Sequence, residues 1–229
     1  MLKRIIVVGA SRGIGAEIVK ILGQNADYEV LALSRDLAKM QDLYQGLSNV
    51  HCFSFNLSSN VHEQLHEILK NHSQIDILIN NAGWLVNKPF TSLTHDDLQN
   101  SYQINTIGVM ETVQSVVPRM MENGGHIVNI SSMGGVQGTV KFAGLAAYST
   151  SKAALCSFTE LFAEEYKDSK IKMNCLALGA AQTEMLEEAF PGYTAPISAQ
   201  KMANYIADFA LTGDQWFSGK ILPVSLSTP

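Results

Sequence analysis

The stretch IIVVGASRGIGAEIVKIL, residues 5–22, decides the fold of this chain. It begins with four consecutive β-branched residues, which predict a strand that is buried on both faces. A glycine turn follows at once, and apolar residues then recur at helical spacing at Ile14, Ile18 and Ile21. A buried strand, a glycine turn and an amphipathic helix in this order predict the entry to a βαβ unit.

The glycine turn has the chemistry of a dinucleotide site. Its glycines permit a tight turn, a close approach of backbone to a pyrophosphate, and close packing of helix on strand. The helix that follows presents free N–H groups and a positive dipole end to the phosphates. A turn that binds nothing is the alternative, but the flanking strand and helix supply the context that a dinucleotide site requires. The turn residues predicted to contact a cofactor are Gly9, Ser11, Arg12, Gly13, Ile14 and Gly15.

The composition predicts one globular α/β domain. The chain of 229 residues is long enough for one domain with a substantial core and too short for two. Its net charge of −5 gives no overall attraction to nucleic acid or to an anionic membrane. No apolar run approaches the roughly eighteen residues needed to cross a bilayer. We therefore expect neither nucleic acid nor a membrane as a partner.

The three cysteines indicate a reducing compartment. Cys52, Cys156 and Cys175 have neither metal-binding nor redox-type spacing, so they are expected to be free thiols. The first predicted strand begins within five residues of Met1, so we expect no signal peptide. Both observations predict a cytoplasmic protein.

Three motifs follow one another in an order that is typical of one family. The glycine turn has the spacing Gly-x-x-x-Gly-x-Gly, Asn-Asn-Ala-Gly occupies residues 80–83, and Tyr148 and Lys152 lie four positions apart. In this combination the chain resembles the short-chain dehydrogenase/reductase family over essentially its whole length. The resemblance implies a single NAD(P)-binding Rossmann-fold domain over residues 1–229. It also implies a doubly wound parallel sheet of about seven strands with helices on both faces, and a homodimer or homotetramer.

The adenosine end of the predicted site favours NADP(H) over NAD(H). A dinucleotide site reads the adenosine ribose about twenty residues beyond the glycine turn, where an acidic side chain would repel a 2′-phosphate. This chain instead has Ser34 and Arg35 after its second predicted strand, and Arg12 in the turn. Two guanidinium groups and a hydroxyl suit a phosphate. Solvated arginines are the alternative, and Asp36 is close enough to oppose a phosphate.

The resemblance implies further cofactor contacts outside the glycine turn. The family usually has an aspartate where Asn56 follows the third predicted strand, so this adenine contact is a departure. Asn81 also has an alternative role, since it could mainly tie adjacent strands together. Thr183 is implied to hold the nicotinamide carboxamide or the pyrophosphate. The implied contacts are Asn56, Leu57, Asn81, Ala82, Gly83 and Thr183, together with Tyr148 and Lys152.

Ser132, Tyr148 and Lys152 form a predicted proton-transfer set. Tyr148 and Lys152 share one helix face, and Ser132 ends a strand at the edge of the sheet where ligands bind. A carbonyl that accepts hydride needs a proton, and a phenol of pKa about 10 must move towards about 7 to exchange it efficiently. That change corresponds to roughly 4 kcal/mol of preferential phenolate stabilisation. Lys152 would supply part of it, and Ser132 would donate a hydrogen bond to the substrate oxygen.

The resemblance refines these roles. It implies that Lys152 also binds the nicotinamide ribose, and that Ser132 acts because the active serine stands second in the pair that begins with Ser131. It implies a fourth residue, Asn105, which disturbs a long helix predicted over about residues 94–122 and holds a water that relays protons from the lysine. The predicted activity is NADP(H)-dependent interconversion of a small-molecule carbonyl and a secondary alcohol.

Two departures from the family lie beside the predicted substrate site. Tyr148 lies sixteen positions after Ser132, whereas the family usually has about thirteen, so the substrate loop at about residues 133–147 is longer. Leu178 stands where the family usually has proline. Residues 186–196 are expected to form the substrate lid.

Other functions share parts of this pattern. HEQLH at residues 62–66 matches the zinc motif His-Glu-x-x-His, but no downstream motif supplies a third ligand, so no metal site is predicted. A non-catalytic NADP(H)-sensing regulator would share the fold but would not need Ser132, Tyr148 and Lys152. A sugar-nucleotide epimerase or dehydratase shares Tyr-x-x-x-Lys, but its glycine spacing usually differs and its carboxy-terminal region is longer.

Overall fold

Seven parallel strands form the central sheet of this computed structural model, which describes residues 2–226. The sheet order is β3-β2-β1-β4-β5-β6-β9, and β7 and β8 form a separate pair. The order reverses between β1 and β4, and ligands of open α/β sheets bind at such a reversal. The strands are β1 (Lys3–Val8), β2 (Tyr28–Ser34), β3 (Val50–Ser54), β4 (Ile77–Asn80), β5 (Gly125–Ser132), β6 (Ile171–Leu178), β7 (Ala181–Gln182), β8 (Ile197–Ser198) and β9 (Ile221–Val224).

Helices cover both faces of the sheet because both faces of its strands are apolar. Ile5 and Val7 of β1 pack in one core with α1, α2 and α8, whose bounds follow below. Ile6 and Val8 point the other way, into a second core with α3, α5 and α6. The predicted fold is confirmed. The α-helices are α1 (Gly13–Gly23), α2 (Leu37–Leu43), α3 (Val61–Leu69), α4 (His95–Tyr102), α5 (Gly108–Val116), α6 (Ala146–Glu165), α7 (Glu184–Ala189) and α8 (Ala199–Thr212).

The long helix expected over residues 94–122 is interrupted. α4 ends at Tyr102, a π-helical turn covers Gln103–Ile107, α5 follows, and a 3₁₀ turn at Val117–Arg119 ends the run. The π turn coincides with Asn105, whose amide bonds outside its own helix. One such insertion is a common device at functional sites.

The residues of the zinc-like motif lie on the outside of α3. Val61, Leu65 and Leu69 are the buried residues of this helix. His62 and His66 are exposed, and the Nδ1 atom of His62 lies 2.9 Å from the Oγ atom of Ser115. Within residues 2–226 we find no group of three or more His, Cys, Asp or Glu side chains arranged to hold a metal ion. The same part of the chain contains no helix that is long and apolar enough to cross a membrane.

His126 is a buried histidine of β5 that lies away from the cavity described below. Its Nδ1 atom is 3.0 Å from the Ala210 carbonyl oxygen, so Nδ1 carries the hydrogen and donates it. Its Nε2 atom accepts a hydrogen bond of 3.1 Å from the Asn174 amide. Burial lowers the pKa of His126, and this effect outweighs the Ala210 carbonyl and the carboxylate of Asp214, which raise it.

Because the pKa of His126 is lower in the folded chain than its unfolded value of about 6.5, the unfolded chain binds the extra proton as the pH falls. We predict that the contribution of neutral His126 to the free energy of unfolding is complete above about pH 6.5. Below that pH it falls by up to about 1.4 kcal/mol per pH unit. Urea denaturation between pH 5 and 8 measures this slope. His126→Gln should be less stable at pH 8 and should show a flatter slope, and an unchanged slope would contradict the prediction.

Candidate active site

A cavity of about 690 Å³ opens at the carboxyl edge of the sheet. Its lining includes residues from the ends of β1, β2, β5 and β6 and from the chain that directly follows β4, which the parallel strands bring to one edge. Of the predicted site residues, Gly15 and Asn105 are not part of its lining and lie behind it. The predicted residues that line it are Gly9, Ser11, Arg12, Gly13, Ile14, Ser34, Arg35, Asn56, Leu57, Asn81, Ala82, Gly83, Ser132, Tyr148, Lys152 and Thr183.

The glycine turn packs directly against the chain that follows β4. Gly9 has φ +87°, and a Cβ atom there would lie 2.6 Å from the backbone of Ala82. A Cβ atom at Gly15 would lie 2.1 Å from the carbonyl oxygen of Gly9 and 2.4 Å from the Nδ2 atom of Asn81. The Asn81 amide donates a hydrogen bond of 3.1 Å to that carbonyl. Asn81 therefore joins the glycine turn to the chain after β4, which is the structural role that the sequence offered as the alternative to cofactor binding.

The residues at the turn fit the phosphates of a dinucleotide. Arg12 is the N-cap residue of α1, and its side chain makes no capping hydrogen bond. The first N–H groups of α1 are therefore left for another acceptor, and a helix N-terminus favours an anion. Gly13, with φ +54°, leaves the backbone open to close approach.

At the adenosine end, one arginine is unpaired and the neighbouring acid is engaged elsewhere. The Ser34 hydroxyl donates a 2.8 Å hydrogen bond to the Ser11 hydroxyl, which holds the end of β2 beside the turn. Arg35 is exposed, and within the described part of the chain it makes no hydrogen bond or ion pair. The Asp36 carboxylate caps α2 by accepting 3.0 Å from the Lys39 N–H. Asp36 is therefore held by its own helix.

Arg12 has a partner that sequence reasoning missed. Its Nη1 atom lies 2.6 Å from the Oε1 atom of Glu188 in α7. The two residues are 176 positions apart, and no local pattern relates them. Thr183 caps the same helix through its hydroxyl, which accepts 3.2 Å from the Leu186 N–H.

The segment after β3 is also fixed by local hydrogen bonds. The Oδ1 atom of Asn56 accepts 3.0 Å from the Ser58 N–H, and Gln64 bonds both the backbone N–H and the carbonyl of Asn56. The carbonyl of Leu57 accepts 3.0 Å from the Gln103 amide. The Nδ2 group of Asn56 has no hydrogen bond within the described chain and remains a free donor at the cavity wall.

Ser132, Tyr148 and Lys152 converge on the cavity. The Nζ atom of Lys152 donates 2.8 Å to the Ile130 carbonyl and lies 5.9 Å from the centroid of the Tyr148 ring. The Ser132 hydroxyl accepts 3.2 Å from the Gly134 N–H, which leaves its own hydrogen available. Ser131 is buried and donates 2.9 Å to the Lys152 carbonyl, so the other serine of the pair supports the helix that carries the lysine.

Burial opposes the charged form of both titrating residues. It raises the pKa of Tyr148 to about 12, although the hydroxyl of Ser132 lowers that pKa in part. It lowers the pKa of Lys152 to about 8, and negative charge at Cys175 and Cys156 opposes this effect. The expected lowering of the Tyr148 pKa towards 7 is therefore not found in the free chain, where burial shifts both the phenol and the ammonium towards their neutral forms.

Asn105 lies under the site, where it holds the chain that follows β4. Its amide donates 2.8 Å to the Trp84 carbonyl and 2.9 Å to the Ser151 hydroxyl, and its Oδ1 atom accepts 2.8 Å from the Trp84 N–H. A Cβ atom at Gly83 would lie 3.5 Å from the Oδ1 atom of Asn105 and 3.6 Å from the Nζ atom of Lys152. The small residue at position 83 thus leaves the space between the two polar groups open.

Apolar side chains surround the reacting end of the cavity. The longer loop at residues 133–147 is cross-tied, because the Lys141 ammonium donates 2.9 Å to the Gly134 carbonyl. Leu178 is a buried residue at the end of β6 and pairs with Val224. Residues 186–196, the segment where a lid is expected, comprise most of α7 and its connection to β8. The apolar lining residues from these segments and from the chain after β4 are Trp84, Leu85, Met133, Phe142, Leu145, Met185, Leu186, Phe190 and Tyr193.

Comparisons with known proteins agree with the fold described above. A family model described as short chain dehydrogenase matches residues 3–194. The 3-oxoacyl-[acyl-carrier-protein] reductase FabG of Chlamydia pneumoniae is 35% identical over 190 residues, which cover 80% of this chain and 75% of the relative. Carbonyl reductase family member 4 of Danio rerio is 32% identical over 184 residues, covering 79% and 76%. The solved structure of ElxO with NADP bound superposes with a TM-score of 0.86 at 25% identity, covering 98% and 97%.

Gly15→Ala tests the close approach in the glycine turn. The added methyl group would lie 2.1 Å from the Gly9 carbonyl oxygen, so we expect a loss of about 1–3 kcal/mol in the free energy of unfolding. The higher helix propensity of alanine, about 1 kcal/mol, does not compensate. Gly83→Ala is the control, because its nearest contact would be an ordinary 3.5 Å. Urea denaturation measures both variants, and equal stability of the two would contradict the prediction.

Proposed function

This chain belongs to the short-chain dehydrogenase/reductase family and is an oxidoreductase acting on CH–OH and C=O groups; on that premise we propose that it uses NADP(H) to interconvert a small carbonyl and a secondary alcohol. The proposal rests on one observation. Ser132, Tyr148 and Lys152 line the same cavity as an uncapped glycine turn. A protein that only sensed the cofactor would not need these three groups around a reacting carbonyl.

We propose the following division of work in reduction. When bound, a nicotinamide would supply the hydride, and the positive charge of its oxidised form would favour the phenolate of Tyr148. The Ser132 hydroxyl donates a hydrogen bond to the substrate oxygen and stabilises the negative charge that develops there. The Tyr148 phenol gives its proton to that oxygen. With a pKa of about 12 in the free chain, this phenol is protonated at neutral pH, which is the form that reduction needs.

Lys152 serves the tyrosine and the cofactor in this proposal. Its ammonium lies next to the phenol ring and favours the phenolate that forms after proton transfer. We assign the nicotinamide ribose hydroxyls to the same ammonium. A water beside Gly83 would join Lys152 to Asn105 and would relay protons to the tyrosine, as the resemblance implies.

Two features support NADP(H) over NAD(H). Arg35 has an unpaired guanidinium at the ribose end, and the adjacent carboxylate of Asp36 caps a helix. The free guanidinium of Arg35 can bind a 2′-phosphate. The Asp36 carboxylate repels that phosphate less because it is bonded to its own helix. We assign the remaining contacts to the cofactor to the predicted cofactor-binding residues that line the cavity, as given under Candidate active site.

The apolar lining indicates the kind of substrate. Aromatic and aliphatic side chains dominate the reacting end, so we propose a carbonyl whose substituents are apolar. We also propose a cytoplasmic location and assembly as a homodimer or homotetramer, both on the basis of the family.

Tyr148→Phe tests the catalytic assignment. We expect NADPH oxidation with apolar ketones to fall by about 10²–10⁴-fold in kcat, because the variant lacks the proton donor. The Kd for NADPH should rise by only about threefold or less, because the contacts proposed for the phosphates and the adenosine are left intact and only the contact of one hydroxyl is lost. Stopped-flow absorbance and NADPH fluorescence measure the two quantities.

Tyr166→Phe is the matched control, since this tyrosine lies at the end of the same helix and stacks on Phe162 at 4.3 Å. It should keep full activity. NADPH binding by the wild type without turnover on any ketone would instead favour the cofactor-sensing regulator.

Arg35→Ala tests the choice of cofactor. Removing a charge-assisted contact to a 2′-phosphate should raise the Kd for NADPH by about tenfold or more and leave that for NADH nearly unchanged. Lys167→Ala removes the same charge at an exposed remote site and serves as the control. Equal effects of Arg35→Ala on both cofactors would refute the assignment.

A further inference from the structure

Glu188 holds one of the two arginines of the adenosine end. Its carboxylate lies 2.6 Å from the Nη1 atom of Arg12, and a second, longer contact of 3.5 Å joins the Nη2 and Oε2 atoms. Both side chains are partly exposed, at 42% for Arg12 and 63% for Glu188, so the pair is accessible to a ligand. Arg35 has no such partner in the described chain, so the two arginines differ in their availability.

The helix that carries Glu188 also begins beside the glycine turn. The Oε2 atom of Glu184, at the start of α7, lies 3.4 Å from the place that a Cβ atom of Gly13 would take. At the other end of α7, the Asn87 amide donates 2.9 Å to the Ala189 carbonyl. Two carboxylates of one short helix therefore lie beside the turn that would receive the cofactor's phosphates.

The Glu188 carboxylate and the 2′-phosphate of a bound NADP(H) would compete for the guanidinium of Arg12. A phosphate monoester carries about 1.5 to 2 negative charges at pH 7, against one on a carboxylate. It therefore attracts Arg12 more strongly than Glu188 does, and the displaced carboxylate would be repelled by it. NAD(H) lacks this monoester. The pyrophosphate that both cofactors share would lie at the backbone N–H groups of the turn, so the added competition for Arg12 would be specific to NADP(H).

We propose that Glu188 is a specificity-determining residue for the cofactor, which competes with the 2′-phosphate of NADP(H) for Arg12 and so couples recognition of that phosphate to release of α7. The inference rests on the proposed use of NADP(H). It assigns distinct parts to the two arginines, since Arg35 is available at all times and Arg12 becomes available by exchange. The ion pair thus lowers the affinity for NADPH and joins the lid to the glycine turn until NADP(H) arrives.

Glu188→Gln is the test, with Glu165→Gln as the matched control because Glu165 is an exposed carboxylate at the end of α6. Kd values for NADPH and NADH are measured by fluorescence titration of the full chain without substrate. We expect Glu188→Gln to bind NADPH roughly twofold to fivefold more tightly and NADH within about 1.5-fold, as is typical of one exposed ion pair. The gain should shrink in high salt, since salt screens exposed charges.

A double-mutant cycle and hydrogen exchange separate this mechanism from a general charge effect. In an Arg12→Ala background, Glu188→Gln should no longer change the Kd for NADPH. In the free protein, the amides of Glu184–Ala189 should exchange faster in Glu188→Gln than in the wild type or Glu165→Gln. Equal changes for NADPH and NADH, or a persisting gain without Arg12, would overturn the proposal.

The outcome is distinct from that of the proposed function. A wild-type protein that prefers NADH would refute the assignment of NADP(H). The effect of Glu188→Gln on the ratio of the two Kd values would still decide the role of Glu188.

Discussion

The contact between the glycine turn and the chain after β4 is the constraint on which the site depends. Gly9 meets the backbone of Ala82 at a distance that no side chain would allow, and the Asn81 amide bonds the Gly9 carbonyl. This contact brings the carboxyl ends of β1 and β4 together at the point where the strand order reverses. A ligand-binding crevice is the geometric consequence.

Burial sets the electrostatics of the reacting groups. The same low-dielectric environment raises the pKa of Tyr148 and lowers that of Lys152, so both are moved towards their neutral forms. A positively charged cofactor would reverse part of this effect at the tyrosine. In the proposed function, the proton-transfer properties of the site would therefore depend on the state of the bound cofactor. The hydrogen bond from Ser131 fixes the helix that carries both groups.

Charge at the other end of the cavity is organised through helix caps and a non-local ion pair. The carboxylate of Asp36 is retained by α2, whereas that of Glu188 crosses from α7 to Arg12. An acidic residue that is adjacent in the sequence therefore does not by itself predict the electrostatic potential around an arginine. What matters is which donors each carboxylate reaches in the folded chain.

The sequence by itself determined the parts that depend on local order. The β-branched run at residues 5–8, the glycine turn and the four-residue spacing of Tyr148 and Lys152 specify a strand, a turn and a helix face without any distant partner. The family resemblance already implied that Asn105 disturbs its helix, and the tertiary structure decided that this disturbance is a π turn. Only the tertiary structure decided the pairing of Arg12 with Glu188. Such features arise because packing brings side chains from distant positions within hydrogen-bonding distance, and periodicity contains no information about which distant groups will meet.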